Sequence, residues 1–269
     1  GGLGGEGKGR KRSGGDDLED YYDDHNNQYD DNYNFNNFQD MLTTFGSYGY
    51  LIRLFEAEKF RVLKSNLKLY NTYLEKLVGS DRKEVWEYGR GVVERELSEE
   101  KGIMDVFALD LYINFCVKIR DYEAVDKVLE MKKKHRIDLD NNLMNGIIRM
   151  GSRVNNEKKS QKIVKNIVTE GVYNGLNFNT TTYNLLIQHY AVHKEEDECW
   201  RWFEIMEERK RDNIDFKTFS ALSEACLRSK NREKTKVLFE KMDEYQVQQD
   251  SILSQKIQKL AKMMINDST

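Results

Sequence analysis

The sequence predicts an all-α fold: an α-solenoid of about five helix-turn-helix repeats in a right-handed superhelix, behind a disordered N-terminal tail. Three observations predict it. Apolar residues recur at i, i+3, i+4 and i+7 along most of the chain, the pattern of one-sided helices. The helices come in pairs, and the pair returns after about 36 residues, so that Phe203 recurs as Phe239 and Met206 as Met242. Proline, due about thirteen times at ordinary usage, is absent, which suits a nearly all-helical chain.

Residues 1–40 have little to bury. "GGLGGEGKGRKRSGG" and the Asp/Asn/Tyr tract after it lack helical or strand periodicity, so ordering them costs more entropy than it recovers. Gly2–Gly7 spells GxGxxG, but phosphate binding needs a strand before those glycines and a helix after them, and the sequence predicts neither. The tail holds four Lys/Arg against ten Asp/Glu (net −6); the remainder, with 39 basic and 36 acidic residues, is at +3. That allows a local polyanion surface without announcing one. The first residue is Gly1 and not Met, as expected of a processed or trimmed product, whose targeting segment, if it had one, is gone. Residues 41–66 read as an N-terminal capping helix or degenerate repeat, with Leu51, Ile52, Phe55 and Phe60 as candidate core.

The repeats follow in order. A faint first unit (67–104) carries Tyr70, Tyr73, Leu74 and Leu77, with a second helix around Val85–Leu97. The second (105–140) pairs Ala108, Leu111, Tyr112 and Phe115 with Ala124, Val128 and Met131. The third (141–179) pairs Met144, Ile147 and Ile148 with Ser160, Ile163, Val164 and Ile167, and "GVYNGLNFN" lengthens its outgoing loop. In the fourth (180–215), Tyr183, Leu186, Ile187 and Tyr190 face Cys199, Trp202, Phe203 and Met206 across the polar "HKEED" turn. The fifth (216–250) pairs Phe219, Leu222 and Cys226 with Thr235, Leu238, Phe239 and Met242, and 251–269 closes the array with a helix at 251–265. No such hairpin buries both helices alone, so neighbours stack, with the first helices lining a concave face.

Enzyme chemistry finds no constellation. His189 and His193 stand at i and i+4, but Tyr190 occupies the place of the zincin glutamate, so they read as polar surface histidines and no metal is expected. Cys116, Cys199 and Cys226 form no CxxC and read as buried reduced thiols. No cofactor and no small-molecule substrate is implied. No apolar stretch reaches the roughly 18 residues of a membrane span, so no membrane partner is expected.

The pair "TYNLLIQHY…WFEIMEE" and "TFSALSEAC…VLFEKMDEYQVQQD" resembles the pentatricopeptide repeat family, in the aromatic-Asn start, the Phe-x-x-Met second helix and the Asp that ends each unit at 140, 215 and 250. The tetratricopeptide pattern, Trp…Leu-Gly…Tyr, is missing. The resemblance covers residues 105–250 well and 67–104 poorly, and lacks the proline that family members place before the terminal Asp. It implies single-stranded RNA as partner, one base per unit, read by the residue after the first-helix aromatic and tuned by the unit's last. Asn184 with Asp215 would then take uracil, Ser220 with Asp250 guanine, and Asn145 with Asn179 a pyrimidine, whereas Leu109 with Asp140 departs from the pattern. Asn71 stands at the faint unit's reading position. The aliphatic slot beside each base is filled by Val106 but by Asn142, Thr181 and Lys217 in later units, which removes apolar clamping. The same Asn, Ser and Asp residues also suit helix capping. Three or four bases recur by chance every 64 to 256 nucleotides or so, too often to select one transcript. A role in organellar RNA metabolism or translation, in a mitochondrion or plastid, among other proteins of a ribonucleoprotein, is the expectation. The rival is a structural scaffold of an organellar ribosome or other large assembly, holding protein in its concave face.

Overall fold

A computed structural model describes residues 67–98, 105–210 and 213–266, with Gly49 and Ile52. Gly49 and Ile52 are helical, Ile52 half-buried; Leu51, Phe55, Phe60 and the 1–40 tail, with its glycine motif, lie outside the described residues. Everything described belongs to the compact unit Leu42–Thr269.

The order is α1 Leu67–Val78, α2 Lys83–Ser98, α3 Val106–Ile119, α4 Val125–Lys134, α5 Asn141–Gly151, α6 Glu157–Tyr173, α7 Thr180–Val192, α8 Glu196–Lys210, α9 Phe216–Ser229, α10 Arg232–Glu244 and α11 Ser251–Asn266. No strand occurs among the described residues. The first helices α1, α3, α5, α7, α9 and α11 pack each on the next, and each leans on its hairpin mate; α2, α4 and α8 also reach the first helix that follows. This is the α-solenoid that the periodicity demands, since each hairpin covers the apolar face its neighbour leaves open.

Local chemistry sets where the first helices begin. Asp105, Asp140, Asn179, Asp215 and Asp250 each accept from the backbone N–H three residues on, at 2.7 to 3.1 Å. That satisfies donors which no intrahelical carbonyl reaches. Asp215 adds the reciprocal bond, its own N–H donating to the Thr218 hydroxyl. The residue at each of these N–H groups, Ala108, Leu143, Thr182, Thr218 and Leu253, is fully buried. The cap at Asp105 directly follows the expected first unit, 67–104.

The stripes form the core. Tyr73, Leu74, Tyr112, Phe115, Met144, Ile147, Tyr183, Leu186, Phe203, Phe219 and Leu238 are all at most 1 % exposed. Two glycines permit close approach: a Cβ at Gly89 would stand 2.4 Å from Phe115 Cζ, and one at Gly146 would stand 2.9 Å from Ile113 Cγ2. Much of the extra length of the third unit goes into α6, which ends where Gly175 turns left-handed at φ +69° and Leu176 N–H returns to Gly171 O at 2.9 Å. Phe178 then tucks between Tyr183 and Trp202, ring centroids 5.9 and 6.2 Å away. The three cysteines are buried and unpaired, and burial pushes each thiol up to about 12.

Candidate nucleic-acid interface

The caps give a common register for the first helices. Asp110, Asn145, Asn184 and Ser220 stand five positions after Asp105, Asp140, Asn179 and Asp215. Leu109 does not belong to this row. It is fully buried, in line with Met144, Tyr183 and Phe219, and the residue of the second unit that shares the register of Asn145, Asn184 and Ser220 is Asp110. The clamp slot shifts with it, from Val106 to Phe107, which is 42 % exposed. In the same register lie Asn142, Thr181, Lys217 and, on the closing helix, Ile252 at 58 % exposure. From α3 to α11, therefore, an apolar residue stands first and last in the slot row, with polar residues between.

Each row residue meets a different environment. Asn184 Nδ2 donates to Asp215 Oδ1 at 3.3 Å while its Oδ1 accepts from the Thr218 hydroxyl at 2.7 Å. An ionised carboxylate only accepts, so the amide has one orientation, and its second N–H and second lone pair remain for a base edge. Asn145 Nδ2 reaches Asn179 Oδ1 at 3.5 Å, and its buried Oδ1 has no partner among the described residues. A carboxamide can donate or accept, so neither orientation of Asn145 is enforced. Asn71 Nδ2 lies 3.1 Å and 3.3 Å from the Asp105 carboxylate oxygens, which repeats in the first unit the amide-carboxylate pair of the fourth. Burial pushes the Asp110 carboxyl above its usual range, Asp140 adds to the rise, and Asn114, 3.2 Å away, opposes it.

Ser220 breaks the pattern. Asp250 caps α11 through Leu253 N–H and does not bond Ser220; instead Lys256 Nζ donates to Ser220 O at 2.8 Å and to Oγ at 3.2 Å. The capping alternative is thus true of every cap residue, but capping and contact with the reading side chain coexist in Asp105, Asn179 and Asp215.

A groove of about 670 Å³ runs across first helices only, bounded by Arg149 of α5, Thr181, Asn184 and Gln188 of α7, Lys217, Ser220, Glu224 and Arg228 of α9, and Asp250, Ile252 and Lys256 of α11. Of the residues singled out from sequence, Thr181, Asn184, Lys217, Ser220 and Asp250 meet there; Asn145, Asn179, Asp215, Asp140 and Asn71 do not line it. Burial pushes the Glu224 carboxyl up, but bonds from Arg228 (2.6 Å) and Lys256 outweigh it and leave the group below its usual range. Sequence reasoning missed Asp105, Asp110, Phe107, Gln188 and Lys256. An Asp directly before an apolar stripe was the available signal for the first two.

His189 is not a surface residue, and His193 is half-buried. His189 is 1 % exposed, with Nδ1 3.0 Å from the Ser152 hydroxyl; His193 Nε2 lies 3.1 Å from the Ser160 hydroxyl, and the two rings are 4.6 Å apart. Burial and then the neighbouring His193 lower the His189 pKa to about 4. They tie α7 to the third hairpin. Among the described residues no group of three or more His, Cys, Asp or Glu is placed to hold a metal, and no helix is long and apolar enough to cross a membrane.

Residues 181–210 match the family described as PPR repeat. No curated protein matches the chain in sequence. Among solved structures, the pentatricopeptide repeat protein PPR10 in complex with an 18-nt psaJ RNA element superposes with TM-score 0.56 at 16 % identity, over 88 % of this chain and 37 % of that one. The nuclear proteinaceous RNase P 2 (PRORP2) of A. thaliana gives 0.54 at 15 % identity, over 70 % of this chain and 41 % of that one. The chain thus spans about two fifths of the length of these structures, and at such identities the likeness is one of fold. That fold is the pentatricopeptide solenoid.

Proposed function

We propose that this pentatricopeptide-repeat chain binds single-stranded RNA along its first helices, and that it does so as a binding protein and not as an enzyme. The observation that carries the reading is Asn184, a groove-lining amide held in one orientation between Asp215 and the Thr218 hydroxyl. An amide fixed in this way offers one donor and one acceptor to a base edge, as repeat readers of one base per unit require. The PPR10 structure, a complex with an 18-nt psaJ RNA element, supports the choice of partner. In the proposal, Asn184 with Asp215 takes uracil, Asn145 with Asn179 a pyrimidine, and Ser220 with Asp250 guanine, while Phe107 and Ile252 supply stacking surface at the ends of the row.

So few bases do not select a transcript. The proposal therefore places the chain in a ribonucleoprotein of a mitochondrion or plastid, in RNA metabolism or translation, where other proteins supply the remaining specificity. The test is titration of single-stranded RNA against the chain at two salt concentrations. Binding that weakens with salt and exceeds binding to double-stranded DNA is the expected result. Failure to bind at low salt, or equal binding to the duplex, would overturn the reading in favour of a protein ligand in the groove.

A further inference from the structure

Lys256 stands six positions after its cap Asp250, where the preceding first helices carry Leu111, Gly146, Leu185 and Ala221. A charge at this register is peculiar to the closing helix, and it turns inward. Its ammonium holds both oxygens of Ser220 and forms an ion pair with Glu224 at 3.3 Å, inside the groove. Ser220 accepts through Oγ, so its O–H proton is left to point away from the lysine.

We infer that Lys256 is a specificity-determining residue for the fifth unit, a second donor beside the Ser220 hydroxyl that selects a keto purine over an amino purine. The inference rests on the RNA reading above and deepens it at one unit. Guanine presents the acceptors O6 and N7 along one edge, whereas adenine puts an N6 amine where O6 would be. The three ammonium N–H groups face Ser220 O, Ser220 Oγ and Glu224 in the free chain, so the base edge replaces the 3.3 Å contact to Glu224, the longest of the three; the Ser220 hydroxyl and the lysine then match guanine's two acceptors and meet adenine's amine donor to donor. A phosphate is the obvious competitor for a lysine. Here Glu224, whose carboxylate is kept ionised by Arg228 and by Lys256 itself, stands beside the ammonium and repels an anion. A neutral base edge carries no such penalty.

The test uses the full chain and fluorescence anisotropy with U-rich single strands of about 12 nucleotides, carrying one central G, one central A or neither. Wild type should bind the G probe about tenfold more tightly than the A probe, the scale of one well-placed base contact. Lys256→Met should bring that ratio to about one to two while the all-U probe changes by less than about twofold, and Lys256→Arg, which keeps the donors, should retain most of the preference. Circular dichroism melts of both variants show that α11 stays docked. Equal weakening of all probes by Lys256→Met means a phosphate contact and overturns the inference, as does a G preference that survives the substitution or is missing from wild type. If wild type binds none of the probes, the RNA reading itself falls and takes this one with it.

Discussion

Replacing Asp215 with Asn separates what that residue does for the helix from what it does for the groove. Asp and Asn cap helices about equally well, so α9 keeps its start. Asn184 changes. In the native chain a flipped amide would set Oδ1 against the Asp215 carboxylate and lose a bond to a charged acceptor, a loss of about 1.5 to 3 kcal/mol. The 3.3 Å separation and the half exposure of Asn184 put this pair at the lower end, about 1.5 kcal/mol or roughly tenfold in an equilibrium. With Asn at 215 the oxygen that faces Asn184 is the one that caps α9, so it stays an acceptor but loses its charge, and the flip becomes cheaper by about 0.5 kcal/mol, the difference between a charged and a neutral acceptor.

Uracil presents N3–H as a donor between two carbonyls, and cytosine presents N3 as an acceptor beside an amine, so the two pyrimidines need opposite orientations of a reading amide. Asp215→Asn should therefore lower the ratio of all-U to all-C affinity only about twofold, with stability within about 0.5 kcal/mol of wild type, whereas Asp215→Ala, which removes the acceptor, should lower it about tenfold. Asp215→Ala should in addition lose the cap, about 1 kcal/mol, and with the Asn184 contact melt roughly 5 to 10 °C lower. The assays are anisotropy with homopolymeric probes of equal length, and thermal melts by circular dichroism. A U-to-C ratio that Asp215→Ala leaves untouched would refute the orientation argument, because the carboxylate is then irrelevant to what Asn184 presents.

Gly89→Ala drives a methyl to within 2.4 Å of the fully buried Phe115 ring, and should lower stability by about 1 to 3 kcal/mol in urea titrations. Lys230, left-handed at φ 56° after α9, should gain from Lys230→Gly, by about 0.5 to 1 kcal/mol after the entropy of the unfolded glycine is deducted; an unchanged urea midpoint counts against strain there. His189, with a folded pKa near 4 against 6.5 unfolded, binds its proton more readily in the unfolded chain, so stability falls as pH drops from about 6.5 to 4, by roughly 3 kcal/mol. His189→Gln should lack that part of the acid loss, and equal losses in urea titrations at pH 7 and pH 4 for both proteins would show that the buried imidazole is not its source.

The helix pairs were legible in the sequence because burial of one face is a periodic property, and Tyr183, Leu186 and Ile187 spell it out over two turns of one segment. The register of the second unit was not, because the aromatic that marks it elsewhere is replaced by Ala108 and Leu109, both apolar and both buried, so the stripe alone fits either alignment. Asp105 resolves the ambiguity. A cap is a local hydrogen bond with a fixed offset to the N–H it serves, and counting from it places Asp110 beside Asn145 and Asn184 without any reference to hydrophobicity. His189 was misread for the opposite reason. Its ring satisfies Nδ1 on Ser152, 37 residues away in the preceding hairpin, and a contact at that separation leaves no trace in the spacing of one helix. Lys256 is hidden in the same way, since the repeat ends at Asp250 and offers no later unit for comparison, while its partner Ser220 lies 36 residues back. In a solenoid the within-unit terms are therefore written locally and the between-unit terms are not, and the groove is built almost wholly of the second kind. Any reading of what such a groove recognises has to begin from pairs like Asn184 with Asp215 and Lys256 with Ser220, because the side chain that faces the ligand and the one that decides how it faces come from different helices.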